Sequence, residues 1–340
     1  MAALMKEAEL QQHYLDNETA ETIYFGGGTP SLLQMDDLRL LIKEVVSVFT
    51  VSGKAEITLE ANPDDITEEN LIGWKEIGIN RLSIGIQSFF EEDLKWMNRA
   101  HKAQQAAGSL ELALRCFDNF TIDLIYGTPQ MTNEKWKQNV ETAFSYGIPH
   151  LSCYALTVES KTPLYKMIRE QKSEDVNPDK QSEQFLLLMQ WMEDAGYEHY
   201  EISNFAKPGC RSRHNSSYWQ GKNYLGLGPS AHSFNGNERK WNVPNNKIYI
   251  ESISKGIIPA ESETLTDVQK LNEYIMTSLR TIEGISIEKL NSTFSITPQE
   301  ILGKAGRYTE SGLLKQENNS LILTREGKLL ADGIAAGLFF

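Results

Sequence analysis

Residues 22–30 read TIYFGGGTP, a run of strand-forming residues that ends in three consecutive glycines. The β-branched and aromatic residues 22–25 are typical of a buried strand. The three glycines that follow, 26–28, stop the strand in a tight turn, where a ligand can approach bare backbone N–H groups. Taken alone, the pattern is only a glycine-rich turn, so its meaning depends on the rest of the chain.

Outward from this turn, strand patterns alternate with helix patterns. The spacing of apolar residues predicts helices over 5–20, over much of 91–115, near 136–144 and near 184–194. It predicts strands at 22–25, 56–60, 81–86, 121–125 and 150–156. Strand–helix units at this spacing predict a parallel sheet or a β/α barrel.

The second half of the chain changes character twice. Residues 203–245 are rich in Gly, Asn, Ser, Pro and aromatic residues, and such a segment inside a compact protein is usually functional. From Thr266 onward the pattern predicts helices with one hairpin at Asn318-Asn319, which suggests a small winged-helix-like unit. We therefore expect a barrel domain over 1–260, which contains the 203–245 segment, and a C-terminal domain over 261–340.

Composition narrows the function classes. The chain has 340 residues, 40% of them apolar, and a formal net charge of −13. An acidic chain is a poor general binder of nucleic acid, because phosphate contacts need clustered Lys and Arg. No run of about 18 apolar residues appears, and residues 1–10 lack the pattern of a signal peptide. We expect a cytoplasmic protein with no nucleic-acid partner and no integral membrane segment.

The cysteines form no local metal motif. Cys116, Cys153 and Cys210 are the three cysteines of the chain, and neither CxxC nor CxxxCxxC occurs. An odd and sparse set also argues against a disulfide framework. Ordinary reduced thiols are the simplest interpretation.

Polar side chains stand at or near the ends of three predicted strands. Glu60, Gln87 and Asp123 fall on the carboxyl-terminal side, where barrel enzymes place their sites. Each of them singly has an ordinary alternative as a helix cap or a loop hydrogen bond. Arg99 follows a helical stretch, where it is either a solvated side chain or a clamp for a carboxylate.

Six strings in order give the chain a specific resemblance. They are YFGGGTPSLL, EITLEANPDDIT, GINRLSIGIQSF, NRAHKAQQA, TIDLIYGTPQ and HLSCYALTVESKTPLY. Together they resemble the radical S-adenosylmethionine (SAM) family of oxygen-independent coproporphyrinogen III oxidases and their heme-chaperone relatives, over about residues 21–245. The tail resembles the C-terminal domain of the same group. The resemblance implies an α/β fold, with a partial, open β/α TIM-like barrel and a small α+β winged-helix-like domain.

The resemblance also implies a SAM site. In the family the glycine motif holds the amino and carboxylate end of SAM, which implies Gly27, Gly28 and Thr29 here. Glu60, Gln87, Arg99 and Asp123 match positions where the family uses polar side chains on SAM. Ala155, in the last parallel strand, matches a further contact position.

One departure from the family concerns the 4Fe–4S cluster. The family carries a strand and CxxxCxxC upstream of the first helix, and this chain begins inside that helix. We therefore expect an open barrel that binds no cluster and does not cleave SAM. Three interpretations stay open: a truncated form, a start codon assigned too late, or a cluster-free relative.

The segment His214-Asn215-Ser216-Ser217-Tyr218-Trp219 matches HNxxYW, which resembles the heme-chaperone branch of the family. The resemblance suggests that His214 is an axial ligand of heme iron. It suggests Tyr218 and Trp219 as an aromatic wall, and Arg211 and Arg213 as partners of the heme propionates. The plain alternative is a loop histidine hydrogen-bonded to backbone.

Three functions compete at this stage. The first is a heme chaperone that binds heme or a porphyrin and passes heme to an accepting protein. The second is an oxygen-independent coproporphyrinogen III oxidase, an oxidoreductase that decarboxylates propionates with a 5′-deoxyadenosyl radical. The third is an unrelated barrel enzyme whose glycine turn binds phosphate. Phosphate-binding glycines usually follow the late strands of a barrel, whereas this turn follows the first.

Overall fold

The computed structural model describes residues 1–340 and contains thirteen strands. They are β1 (Ala20–Phe25), β2 (Val51–Ala61), β3 (Arg81–Gln87), β4 (Phe120–Tyr126), β5 (His150–Ala155), β6 (Glu198–Glu201), β7 (Asn204–Ala206), β8 (His232–Phe234), β9 (Glu238–Asn242), β10 (Ala260–Thr264), β11 (Ile285–Ser286), β12 (Leu314–Glu317) and β13 (Ser320–Leu323).

Fifteen α-helices accompany the strands. They are α1 (Ala2–Leu10), α2 (Met35–Val48), α3 (Glu68–Glu76), α4 (Glu91–Trp96), α5 (Ala103–Cys116), α6 (Asn133–Ser145), α7 (Pro163–Arg169), α8 (Pro178–Asp194), α9 (Arg213–Trp219), α10 (Asn246–Ser254), α11 (Asp267–Leu279), α12 (Ile287–Phe294), α13 (Pro298–Glu310), α14 (Arg325–Lys328) and α15 (Ala331–Leu338).

The main sheet has seven strands in the order β1-β2-β3-β4-β5-β7-β6. The first five pair in parallel in sequence order, as the strand–helix alternation predicts. Strand β7 pairs antiparallel with β5, and β6 pairs antiparallel with β7 and forms the far edge. The sheet is a curled, open half-barrel, and this confirms the predicted fold class.

The two faces of this sheet differ in chemistry because side chains alternate along a strand. One face, with Leu59, Ile84, Ile122 and Leu151 on it, packs against the helices in a core of 32 buried residues. The opposite face lines the inside of the curl, which we call the lumen. Its buried side chains are polar: Glu56, Thr58, Arg81, Ser83, Gln87, Thr121, His150 and Ser152.

Two smaller sheets complete the molecule. Strands β8, β9 and β10 form an antiparallel sheet after the half-barrel. Strands β11, β12 and β13 form a second one, whose β12–β13 hairpin turns at Asn318-Asn319 as predicted. This last sheet and helices α11 to α15 enclose a separate core of 14 buried residues.

The predicted helix over 5–20 is wrong in its second half. Helix α1 ends at Leu10, and Asp16 and Asn17 adopt left-handed backbone with φ of 48° and 62°. Asp and Asn tolerate that conformation better than most residues, so the chain turns there toward β1. None of the helices combines the length and apolar character that a bilayer crossing requires.

Candidate functional site

The glycine turn, Gly26–Gly28, follows β1 at the carboxyl-terminal end of the sheet, and its glycines have different roles. Gly27 and Gly28 have φ of 77° and 70°, and a Cβ on either would meet nothing within 4 Å. A Cβ on Gly26 would lie 2.5 Å from Tyr24 Cε1 and 3.0 Å from Glu60 Oε1. Gly27 and Gly28 are therefore required by backbone conformation, and Gly26 by a close side-chain approach.

Glu60 lies directly beneath this turn. Its Oε2 accepts a hydrogen bond from the backbone N–H of Gly27 at 3.2 Å, and its Oε1 accepts one from the hydroxyl of Tyr24 at 2.7 Å. Burial, reinforced by the Glu60 carboxylate, raises the pKa of Tyr24, so the phenol keeps its proton. Glu60 thus contributes negative charge at the open rim of the turn.

Gln87 ends β3 in an unusual backbone conformation. Its φ is 67°, although it is neither glycine nor asparagine, and its side chain is buried. The amide lies over Gly85, where a Cβ would be 2.9 Å from Gln87 Nε2. Left-handed backbone in such a residue costs about 1–3 kcal/mol and clusters at functional sites.

Asp123 lies on the lumen face of β4. Burial raises its pKa to about 7, with the Glu60 carboxylate adding to the shift, while Ser152, Arg81 and Arg99 oppose it. Asp123 and Glu60 therefore influence each other electrostatically across the lumen. The Arg99 guanidinium also interacts with the charge of Asp123.

The other two predicted SAM residues lie differently. Thr29 precedes a short 3₁₀ turn at Pro30–Leu32, and its carbonyl accepts the N–H of Leu32. Ala155 is at the end of β5, and its side chain packs against the helix-side core. Only the backbone of Ala155 is therefore available to a ligand in the lumen.

The HNxxYW segment, His214–Trp219, forms most of α9. Ser212 caps this helix by accepting the N–H of Asn215. His214 Nδ1 is 2.9 Å from Thr22 Oγ1, and the imidazole stacks on the Tyr24 ring with centroids 4.4 Å apart and planes 16° apart. The ring of Tyr218 makes a T-shaped contact with the same imidazole, with ring centroids 5.1 Å apart. The histidine is thus held against β1, 192 residues earlier in the chain.

The chemistry of His214 suits a metal ligand. Burial, with Arg81 adding, lowers its pKa to about 4, so the imidazole is neutral at pH 7. Its Nε2 has no hydrogen-bond partner in the protein and is not sealed from solvent. Iron binds an imidazole nitrogen that carries no proton, so ligation through Nε2 needs the proton on Nδ1, where Thr22 Oγ1 can accept it.

Sequence reasoning missed three residues that position this histidine. Glu56 accepts the backbone N–H groups of Arg213 at 3.2 Å and of His214 at 3.0 Å, while Thr22 and Tyr24 hold the ring. Alternation along the strands offered a signal, because Glu56 shares a strand face with Glu60 and Thr22 shares one with Tyr24. That signal does not say which distant helix they meet.

Two of the expected heme contacts have other partners. Arg211 forms ion pairs with Glu198 at 3.0 Å and Glu283 at 2.7 Å, so its guanidinium is already engaged. Arg213 donates to the carbonyl of Lys54 at 2.7 Å and remains exposed. The expected pairing of Arg211 with a propionate therefore has a competing pair of carboxylates.

The aromatic residues of the segment face in different directions. The side chain of Tyr218 is 40% exposed. Trp219 instead lies under the guanidinium of Arg280, whose carbon is 5.3 Å from the ring centroid. Helix α9 thus bridges β1 on one side and the residue that follows α11 on the other.

The cysteines do not fit a 4Fe–4S cluster. Cys116 ends α5, Cys153 lies in β5 on the helix side, and Cys210 precedes α9. No group of three or more His, Cys, Asp or Glu side chains in the structure could hold a metal ion together.

Two open grooves lie away from these residues. One, of about 610 Å³, lies on the outer surface between Phe89, Ala103 and Gln138, and another, of about 370 Å³, lies beside Lys328 and Asp332. Neither is lined by the glycine turn or by His214.

Known proteins with similar sequences decide the family. The heme chaperone HemW of Bacillus subtilis is 33% identical over 318 residues, which cover 92% of this chain and 84% of that protein. The heme chaperone HemW of Mycobacterium tuberculosis is 32% identical over 340 residues, covering 99% of this chain and 85% of that protein. The chain belongs to the HemW heme-chaperone family of radical SAM proteins.

Domain matches and a solved structure agree with this membership. Residues 5–143 match the radical SAM superfamily, and residues 265–330 match the HemN C-terminal domain. The solved structure of coproporphyrinogen III oxidase (HemN) from Escherichia coli aligns with a TM-score of 0.83 over 99% of this chain and 82% of that one. At 22% identity this likeness shows the shared fold. This member of the HemW family thus has the fold of HemN. The family resemblance stated from the sequence is confirmed.

Proposed function

We propose that this chain binds heme through His214 and passes it to a heme-accepting protein. The observation that carries the proposal is the state of that imidazole: neutral, held at Nδ1 by Thr22, and free at Nε2. Heme iron is commonly held by such a histidine, and the relatives above carry the name heme chaperone. The place of action we propose is the cytoplasm.

We also propose that the glycine turn and its surroundings bind the amino-acid end of SAM. Gly27, Gly28 and Thr29 would hold that end, and further contacts with SAM would come from Glu60, Gln87, Arg99, Asp123 and Ala155. The open space beside Gly27 and Gly28, and the carboxylate of Glu60 beneath them, favour an ammonium group at the turn. In the family, SAM bound to a cluster supplies a radical; here the residues of this chain bind and orient, and no cleavage of SAM is proposed.

A domain division at 260/261 accompanies this proposal. The two separate hydrophobic cores, one under the half-barrel and one in the tail, support two domains. Strand β10 (Ala260–Thr264) pairs with β9 and crosses the proposed boundary. No specific observation favours the oxidase alternative.

Heme titration of paired histidine variants tests the function. The parent chain should develop a Soret band on heme addition, and His214→Ala should lose it or bind about tenfold more weakly. His232→Ala is the matched control, since His232 is an exposed histidine in the same 203–245 segment and should bind as the parent does. Circular dichroism of all three proteins checks that the fold is retained. Equal affinities for the parent and His214→Ala would overturn the proposal.

A further inference from the structure

Tyr24 lies between the two parts of the proposed site. Its hydroxyl donates to Glu60 Oε1 at 2.7 Å, and its ring stacks on His214 with centroids 4.4 Å apart. One side chain therefore contacts both the carboxylate beneath the glycine turn and the proposed heme ligand.

The contacts continue from Tyr24 to the turn itself. Glu60 uses its second oxygen, Oε2, to accept the N–H of Gly27 at 3.2 Å. Gly26 is the residue that allows this arrangement, since any Cβ there would overlap both Tyr24 and Glu60. Contacts thus run without a break from the backbone of the turn, through the Glu60 carboxylate and the Tyr24 phenol, to the His214 imidazole.

The other contacts of His214 lead elsewhere. Thr22 holds Nδ1, and Glu56 holds the backbone N–H of His214, yet neither touches the glycine turn. Tyr218 contacts the imidazole from a partly exposed position on α9 itself. Tyr24 is therefore the contact of His214 that extends to the turn.

We propose that Tyr24 is a positioning residue that couples the glycine turn to His214, so that a change at Glu60 alters heme affinity. This inference rests on the proposed function, since it assumes that His214 is the heme ligand. An ammonium group bound at the turn would fix Glu60, and through it the phenol and the stacked imidazole. Coupling of this kind is reciprocal: SAM would change heme affinity and heme would change SAM affinity by the same factor.

A double-mutant cycle on heme affinity tests the coupling without SAM. Tyr24→Phe keeps the stacked ring and loses the hydroxyl, and Glu60→Gln keeps the shape and loses the charge. Each variant should weaken heme binding by about threefold to tenfold, and the double variant should be no weaker than the weaker single variant. Unchanged affinity in Tyr24→Phe, or effects that multiply in the double variant, would overturn the inference.

The matched control removes a tyrosine hydroxyl that donates to a glutamate in another part of the molecule. Tyr249 donates its hydroxyl to Glu7 at 2.5 Å, which is another tyrosine-to-glutamate hydrogen bond, and neither partner is among the side chains that contact His214. Tyr249→Phe should lower thermal stability and leave heme affinity unchanged. The iron–histidine stretching band in the resonance Raman spectrum of ferrous heme should shift in Tyr24→Phe alone. A shift of equal size in both variants would mean a general loss of packing and would refute the assignment.

A second titration uses SAM itself. Equilibrium dialysis first measures SAM binding to the heme-free parent and to Tyr24→Phe. Saturating SAM should then change the heme dissociation constant of the parent and leave that of Tyr24→Phe nearly unchanged. An equal SAM effect on both proteins would contradict the inference.

If the parent binds heme but no SAM, the proposed SAM site has failed, and the Glu60→Gln cycle alone decides the role of Tyr24. If His214→Ala binds heme as the parent does, the proposed function has failed.

Discussion

On the scale of single residues, Asp123 shows how burial in the lumen changes the chemistry of a side chain. Its pKa is raised to about 7 by burial, with the Glu60 carboxylate adding to the shift. An acid whose pKa is raised by folding holds its proton more tightly in the folded chain than in the unfolded one. Its contribution to stability is therefore full below the unfolded value, about 3.9, and is lost as the pH rises through about 7.

Asp123→Asn should remove this pH dependence. The free energy of unfolding of the variant, relative to the parent, should increase by about 2–4 kcal/mol between pH 4 and pH 8, because the amide never ionises. Urea unfolding at four pH values across this window measures the difference. Asp175→Asn, at an exposed loop position, supplies the baseline. A stability difference that stays constant from pH 4 to pH 8 would contradict the assigned burial of Asp123.

On the scale of elements, α9 is a seven-residue helix whose position depends on β2. Isolated helices this short are not stable in water, so its contacts must hold it. The Glu56 carboxylate accepts two N–H groups of its first turn and also lies 3.9 Å from the guanidinium of Arg81, which is 1% exposed. Two guanidinium nitrogens of Arg81, Nε and Nη2, have no hydrogen-bond partner, so the charge of Glu56 is an important compensation for that buried cation.

Glu56→Gln should therefore destabilise the chain more than an ordinary surface change. We expect the free energy of unfolding to fall by about 2–3 kcal/mol, since removal of one partner leaves a buried charge uncompensated. Glu251→Gln is the matched control, because it removes one carboxylate from an exposed pair with Lys247 and should cost less than about 0.5 kcal/mol. Denaturant unfolding of both variants measures the difference, and equal costs would show that Arg81 does not depend on Glu56.

On the scale of the whole molecule, α1 is joined to a segment more than 200 residues away. The carboxylate of Glu7 is fully buried and accepts four hydrogen bonds, from Gly228 N–H, Asn242 Nδ2, the Tyr249 hydroxyl and Gln11 Nε2. A carboxylate has about four sites that can accept a hydrogen bond, and each oxygen of Glu7 accepts two. This single side chain connects the beginning of the chain with the loop before β8, with β9 and with α10.

Replacement of Glu7 by glutamine should disrupt that junction. An amide presents an NH₂ group where donors already converge, so Glu7→Gln should lower the free energy of unfolding by about 2–4 kcal/mol. Glu9→Gln on the same helix is the control, since Glu9 is exposed and pairs only with Lys6; it should change stability by less than about 0.5 kcal/mol. Thermal unfolding followed by circular dichroism compares them. Similar melting temperatures for the two variants would refute the role of Glu7.

The architecture could largely be predicted from local pattern. The five parallel strands were visible as short runs of apolar and β-branched residues, and the hairpin at Asn318-Asn319 was visible from its turn residues, because both depend on neighbours in sequence. The end of α1 could not be predicted, since the mostly polar residues 11–17 suit a helix or a turn equally well. The direction that the chain takes toward β1 decides between them. The pairing of β7 with β5 and of β6 with β7 could not be predicted either, because the order of strands in a sheet is not written in local sequence.

For the site, the chemical groups could be identified from the sequence: the glycine turn, the carboxylates at the strand ends and the histidine of HNxxYW. Their combination depends on the tertiary structure. It brings His214 onto Thr22 and Tyr24, directs Arg211 to two glutamates, and turns the side chain of Ala155 away from the lumen. The physical reason is that these contacts join residues far apart in the chain, and their formation depends on the curl of the sheet and the docking of α9, which no local periodicity encodes.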